Sequence, residues 1–275
     1  MRISGGLVKA VNRAAERGCE TMQIFASNPR SWTHSEISPR DISMFRSGCG
    51  ERGLSPVFVH SPYLVNLAAP VECTWGRSIE ALTKNVEAAE ALGASAVVTH
   101  LGSHGGMGED FGIGRVIRAL EKVLSDCHEC VPVLLETTAG SGKSVGHTFT
   151  QLGEILEAFE GEDLLGLCFD TCHAFAAGYE LRYPPGIEET LEELDREVGL
   201  ERLRLIHAND SKGDRGSRVD RHQDIGEGYL GLEAFEYLVN HPAMRHLPWI
   251  LETPHMTLEK DRRNLCLLRS LARGL

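Results

Sequence analysis

Apolar positions along the chain gather into short runs, and the stretches between those runs carry a helical period. The runs are 21–27, 56–60, 95–100, 131–137, 163–170, 202–210 and 247–253, rich in Val, Ile, Leu and Phe. Their apolar character is nearly continuous rather than alternating, so these strands are expected to be buried on both faces, as parallel strands beneath helices are. Between them lie "GGLVKAVNRAAERG" (5–18), 77–93, 114–127, 149–161, 187–200, 231–242 and 257–274. In the second of these, Ile79, Leu82, Val86, Ala89 and Leu92 recur at three- and four-residue steps and form one apolar stripe. Gly18 and Gly93 stand where their helices should end.

Strand and helix alternate over the whole length, and no Pro-, Ser- or Gly-rich linker divides the chain. That order indicates an α/β protein, a TIM (β/α)8 barrel forming a single domain over 1–275. Seven strands are visible. The opening "MRISGG" reads as the end of a first strand already turning into its helix, so the first strand is expected to be truncated at the N-terminus.

Charge narrows the partners. With 28 Lys and Arg against 39 Asp and Glu the formal charge is −11, and the bulk of the protein repels nucleic acid. Phosphate binding would need a local positive source. The eight cysteines are scattered in the manner of a reduced, cytoplasmic protein, and "CHEC" at 127–130 is one CxxC without a second pair, read as incidental. No stretch approaches the ~20 apolar residues of a membrane span, and no signal-peptide core is present, so no membrane partner is expected. The glycine-rich stretch 102–114 lacks the lysine of a phosphate loop, His104 and His147 are loop histidines without an evident partner, and the glutamate-rich 187–199 reads as a solvated helix face.

Parallel barrels build their sites at the carboxyl ends of the strands. Those ends carry His60, His100, Glu136, Asp170, His207 and Glu252, all of metal-ligating type, and just beyond lie His173, Asp220 and His222. Asp170 and His173 are spaced for one face of a helical turn, Asp220 and His222 for one face of an extended segment, and both spacings let a pair converge on an ion. Taken singly, each has a plainer reading: a hydrogen-bonded histidine, a capping aspartate, a solvated loop. Taken together they do not. Four carboxylates at one mouth would repel and raise one another's pKa unless cations neutralised them. Oxygen and imidazole donors without thiolate suit zinc or manganese.

"HSPYLVNLA" (60–68), "THLGSH" (99–104), "LLETTAG" (134–140), "GLCFDTCHAFAAGY" (166–179), "HANDSKGDRGSRVDRHQDIGEG" (207–228) and "LETP" (251–254) occur in this order. Through them the chain resembles the endonuclease IV family of apurinic/apyrimidinic endonucleases (AP endonuclease family 2) over nearly its whole length. The resemblance implies three Zn2+ ions, with Mn2+ admissible at one or more positions. His60 and His100 would hold one and share Glu136 as a bridge; Asp170, His207 and Glu252 would hold the second with Glu136; His173, Asp220 and His222 would hold the third. Three dications against four carboxylates leave about +2 at the mouth of an acidic protein. The implied activity is metal-assisted hydrolysis of the phosphodiester 5′ to abasic sites in double-stranded DNA during base excision repair, leaving a 3′-hydroxyl and a 5′-deoxyribose phosphate, with removal of 3′-blocking groups at the same site. Glu136 is the residue implied as indispensable. Arg30, Tyr63 and Leu64 match positions that enter the duplex at the lesion, where a cation and apolar wedges suit unstacking and kinking. The protein is expected to act as a monomer. The sequence departs from the family at its start, where the family's first strand with its histidine-containing stretch is absent before Ser4. Two other readings remain open at this point: a metal-dependent sugar isomerase of the related barrel type, and a lesion-binding protein without turnover.

Overall fold

The computed structural model of the chain describes residues 1, 3–33, 36–125, 131–161, 163–254 and 257–273. The chain divides into two compact units, Met1–Leu135 with Glu157–Gly166, and Glu136–Leu156 with Leu167–Leu275.

In the first unit the order is α1 (Leu7–Arg17), β1 (Met22–Phe25), α2 (Pro39–Glu51), β2 (Val57–His60), α3 (Glu72–Leu92), β3 (Ala96–Thr99), α4 (Glu109–Ser125) and β4 (Val133–Glu136), whose last residue opens the second unit. Strands β1 to β4 pair in parallel in sequence order, with Phe25 opposite His60, His60 opposite Val98, and Thr99 opposite Leu135. A helix separates each strand from the next, the connection that parallel neighbours require. Every residue of β2, β3 and β4 is buried, as the unbroken apolar runs implied. Each fully buried Val or Leu in them contributes roughly 1.5–3 kcal/mol relative to exposure.

The expected glycine stops are present. Gly18 and Gly93 adopt left-handed φ of 75° and 68°, and the N–H of the residue after each returns to a carbonyl in the last turn. The stripe on α3 is rotated from its expected position: Leu82, Val86, Ala89 and Leu92 are buried, Ile79 is half-buried, and Trp75 joins the buried face. Helix α2 had no counterpart in the apolar pattern, because two glycines and few apolar residues blur its period. Ser38 caps it by accepting the Asp41 N–H at 3.1 Å, and Phe45 anchors it in the core. Ahead of α1 the described residues form a turn, with Gly6 N–H donating to the Ile3 carbonyl at 2.9 Å, and the Met1 ammonium donates to the Gln23 carbonyl of β1. "CHEC" at 127–130 lies outside the described residues.

The second unit continues with α5 (Phe149–Glu157), β5 (Leu165–Asp170), α6 (Thr171–Ala177), α7 (Pro184–Glu197), β6 (Leu203–His207), β7 (Asp210–Ser211), β8 (His222–Gln223), α8 (Gly231–Asn240), β9 (Trp249–Ile250) and α9 (Leu258–Leu271). Strands β5, β6 and β9 are parallel neighbours in that order, with Asp170 opposite His207 and His207 opposite Ile250. The run 202–210 is therefore not one strand. After His207 only the Ala208 N–H continues the ladder, to the Ile250 carbonyl at 2.8 Å, and the chain then leaves to form the antiparallel β7–β8 hairpin, with Ser211 opposite His222. That departure brings the polar loop back alongside the strand ends. No helix among the described residues is long and apolar enough to cross a membrane.

Candidate metal centre

Strand ends deliver the side chains. His60, Glu136, Asp170 and His207 are the last residues of β2, β4, β5 and β6, His100 follows β3 directly, and Glu252 stands two residues beyond β9. Within each unit, parallel pairing in register aligns these ends.

In the second unit Glu136, Asp170, His207 and Glu252 each offer a donor atom, and these atoms all lie within 4.8 Å of one another. His207 Nδ1 is 3.0 Å from Glu136 Oε1, 3.3 Å from Glu252 Oε2 and 3.9 Å from Asp170 Oδ2. Glu136, Asp170 and His207 are wholly buried and Glu252 is partly open. Three carboxylates around one imidazole nitrogen, out of water, demand a cation. Burial pulls the His207 pKa down, yet the surrounding groups Cys168, Glu252 and Glu136 raise it above its ordinary value.

A second group is formed by His173, Asp220 and His222. His173 Nδ1 faces the Thr137 carbonyl at 2.9 Å and His222 Nδ1 faces the Glu252 carbonyl at 3.0 Å. A carbonyl accepts only, so both Nδ1 atoms carry a proton, and in the neutral ring each Nε2 presents a lone pair. The two Nε2 atoms stand 3.4 Å apart, and Asp220 Oδ1 lies 3.2 Å and 3.5 Å from them. Two lone pairs and a carboxylate converging this closely fit a divalent ion of the zinc class. His173 is also raised well above its ordinary pKa: burial opposes its charge, and Asp170, Asp220 and Glu136 outweigh burial.

Asp170 and His173 come together as their three-residue spacing allowed, His173 Nδ1 standing 3.8 Å from Asp170 Oδ1. Asp170 is the N-cap of α6, its Oδ1 accepting the His173 N–H at 2.8 Å, which leaves the two side chains in different donor groups. Asp220 and His222 converge as well. Cys172 stands in a group with Asp170 and His222, but burial pushes its thiol up to about 12 and Sγ lies 3.6 Å from the Arg221 carbonyl, so it offers no thiolate near neutrality.

In the first unit the His60 and His100 rings lie 5.5 Å apart between centroids. His60 Nδ1 donates to the Ser61 carbonyl at 2.7 Å, which turns its Nε2 into the acceptor. Ser61 and Thr99 hydroxyls bond at 2.8 Å and tie the two strand ends together. Tyr63 is 62 % exposed while Leu64 is half-buried and Arg30 exposed. The Tyr63 N–H donates to the Pro29 carbonyl at 3.0 Å, so the turns carrying Arg30 and Tyr63 are fastened together, and Phe25 meets the Tyr63 ring edge-on at 5.1 Å. The loop histidines have structural partners after all: His104 Nδ1 accepts the Gly108 N–H at 3.0 Å, and His147 Nδ1 faces the Ser144 carbonyl at 3.1 Å.

Sequence reasoning passed over four buried polar residues: Thr137 and Thr171, directly after β4 and β5, Asn209, two residues beyond β6, and Asp210, which opens β7. The available signal was their position: uncharged or acidic polar side chains next to a ligand at a buried strand end need partners.

Comparisons with known proteins bear on the fold and the family. Residues 11–271 match the family described as xylose isomerase-like TIM barrel. The probable endonuclease 4 of Chloroflexus aurantiacus is 46 % identical over 276 residues, covering 100 % of this chain and 97 % of the relative. The crystal structure of endonuclease IV from Thermus thermophilus superposes with a TM-score of 0.86 at 36 % identity, covering 98 % of this chain and 96 % of that one. A D-tagatose 3-epimerase-like protein, at 20 % identity and a TM-score of 0.72 over 96 % and 94 % of the two chains, shares the fold alone. The (β/α) alternation read from the apolar pattern is thus a TIM barrel, and the chain belongs to the endonuclease IV family.

Proposed function

We propose that this protein is a zinc-dependent endonuclease that hydrolyses the phosphodiester 5′ to abasic sites in double-stranded DNA, leaving a 3′-hydroxyl and a 5′-deoxyribose phosphate. The observation that carries the reading is the convergence of Glu136, Asp170, His207 and Glu252 within 4.8 Å in a member of this family. Three ions would be held by His60, His100 and Glu136; by Glu136, Asp170, His207 and Glu252; and by His173, Asp220 and His222. Glu136 would be common to the first two of these donor sets. When bound, such ions supply Lewis-acid stabilisation of a phosphodiester and a nucleophile from water at neutral pH.

The chain's own residues supply the rest. Carbonyl acceptors at Ser61, Thr137 and Glu252 fix the tautomers of His60, His173 and His222 before any ligand arrives. Burial of Glu136, Asp170 and His207 excludes bulk water and strengthens electrostatic interactions at the centre. Tyr63 and Leu64 serve as wedges against the unstacked duplex and Arg30 as a phosphate or base-step contact. An abasic nucleotide is easier to extrude than an intact one, which favours the lesion. The whole of 1–275 acts as one catalytic domain, as a cytoplasmic monomer, and also trims blocked 3′ ends. The sugar-isomerase reading has only the shared fold behind it.

A labelled abasic duplex incubated with the zinc-loaded protein, with and without a strong chelator and alongside Glu136→Gln, tests this. Incision 5′ to the site that disappears in both controls supports it. Incision that survives both refutes the mechanism, and an intact substrate with fully metallated protein refutes the assignment.

A further inference from the structure

The β6–β7 link contains a side chain that touches two of the candidate ligands. Asn209 is wholly buried. Its Oδ1 accepts the Glu252 backbone N–H at 2.8 Å, which orients the amide and leaves Nδ2 to donate to Asp170 Oδ2 at 2.6 Å. Its backbone is clamped as well: the Asn209 N–H donates to Thr171 Oγ1 at 2.9 Å, and the Thr171 hydroxyl donates to the Asn209 carbonyl at 2.7 Å. One rigid amide therefore spans from β5 to the segment after β9, across the strand that carries His207.

We propose that Asn209 is the positioning residue of the central donor group, holding Asp170 and Glu252 at the separation one divalent ion requires. The inference rests on the metal reading above. Asp170 has two oxygens at the mouth of a crowded anionic pocket, and Oδ1 is spent on the His173 N–H. A donor on Oδ2 fixes the carboxylate plane and offsets part of its repulsion with Glu136 and Glu252, while a lone pair stays free for an ion. The acceptor half of the same amide sets the main chain at Glu252. A carboxylate in place of Asn209 keeps the second bond and turns the first into a repulsion, so Asn209→Asp isolates the contact to Asp170. Asn209→Ala removes both. Gly153→Ala, whose Cβ would stand 2.0 Å from the Glu197 carbonyl oxygen in a helix that carries no candidate ligand, serves as the control for a general loss of stability.

Zinc titration of chelator-stripped protein against a chromogenic competitor, with the unfolding midpoint recorded in parallel, tests the assignment. In Asn209→Asp and Asn209→Ala one zinc equivalent is expected to bind 10–100-fold more weakly, the size typical for loss of a partner behind a metal ligand, with the other equivalents unchanged. Gly153→Ala is expected to lower the midpoint and keep the wild-type affinities. Unchanged zinc affinities in both Asn209 variants overturn the inference alone, as does an equal loss of affinity in Gly153→Ala. A wild-type protein that takes up no zinc overturns the metal reading and this inference with it.

Discussion

Asp210 offers the sharpest test of how the ligand-bearing loop is held. Its carboxylate is wholly buried and accepts five backbone amides: Ser211 at 2.7 Å and Leu230 at 2.9 Å on Oδ1, and Gly226 at 3.0 Å, Gly228 at 3.0 Å and Gly231 at 3.3 Å on Oδ2. These bonds pull residues 226–231 onto the β7–β8 hairpin that carries His222. Gly228 is required there, since a Cβ would come within 2.4 Å of both Asp210 Oδ1 and the Ser211 carbonyl. Asp210→Asn keeps the shape and replaces one oxygen with an NH2 group. Whichever way the amide turns, at least two backbone N–H groups then face a donor. An unsatisfied buried donor costs about 1–3 kcal/mol, and the half-buried Gly226 and Gly228 amides can turn toward water, so the loss belongs near the low end, about 3 kcal/mol in all. At ~2–4 °C per kcal/mol for a chain of about this size, the melting midpoint falls by roughly 6–12 °C. Urea unfolding of chelator-stripped wild type and variant, followed by circular dichroism with slopes compared, measures it. A loss below about 1 kcal/mol at equal slope would falsify the view that this carboxylate organises the loop.

Two further perturbations separate competing effects. Gly153 lies within α5, where alanine ordinarily gains about 0.5–1 kcal/mol of helix stability, but its Cβ would stand 2.0 Å from the Glu197 carbonyl oxygen. The clash is with main chain and cannot be relieved by a rotamer, so Gly153→Ala should destabilise by about 1–3 kcal/mol; an unchanged or raised melting midpoint contradicts the packing. Glu180 is held at about 2, below its ordinary 4.5, first by the Arg182 guanidinium hydrogen bonds and against the opposing effect of burial. Because the folded value is depressed, its contribution is complete above pH 4.5 and is lost as pH falls toward 2. Arg182 is 36 % exposed, so screening limits the contribution to roughly 1 kcal/mol, and the stability gap between wild type and Glu180→Gln should close over that interval. A gap that stays constant from about pH 5 to about 2.5 argues against the ion pair.

How much of this was written in the order of residues can be judged from particular elements. The unbroken apolar runs announced buried parallel strands, and β2 to β5 are buried throughout. Gly18 and Gly93 announced their helix ends because only glycine takes a left-handed φ without cost. Helix α2 was illegible, since its stability comes from Phe45 in the core and a Ser38 cap rather than from a period.

The nine candidate ligands could be nominated from sequence because their chemistry and their strand-end positions are both one-dimensional facts. Spacing alone could not group them; the grouping came from the family resemblance. The spacing of Asp170 and His173 suggested a shared ion, and only the packed chain spends Asp170 Oδ1 on the helix cap and brings His222 from the hairpin to His173. Tautomers were likewise undetermined until the Thr137 and Glu252 carbonyls came to lie against His173 and His222. Residue type fixes which atoms are able to bind; distance and direction decide which of them meet, and these arise only when strand register and loop return place distant segments side by side.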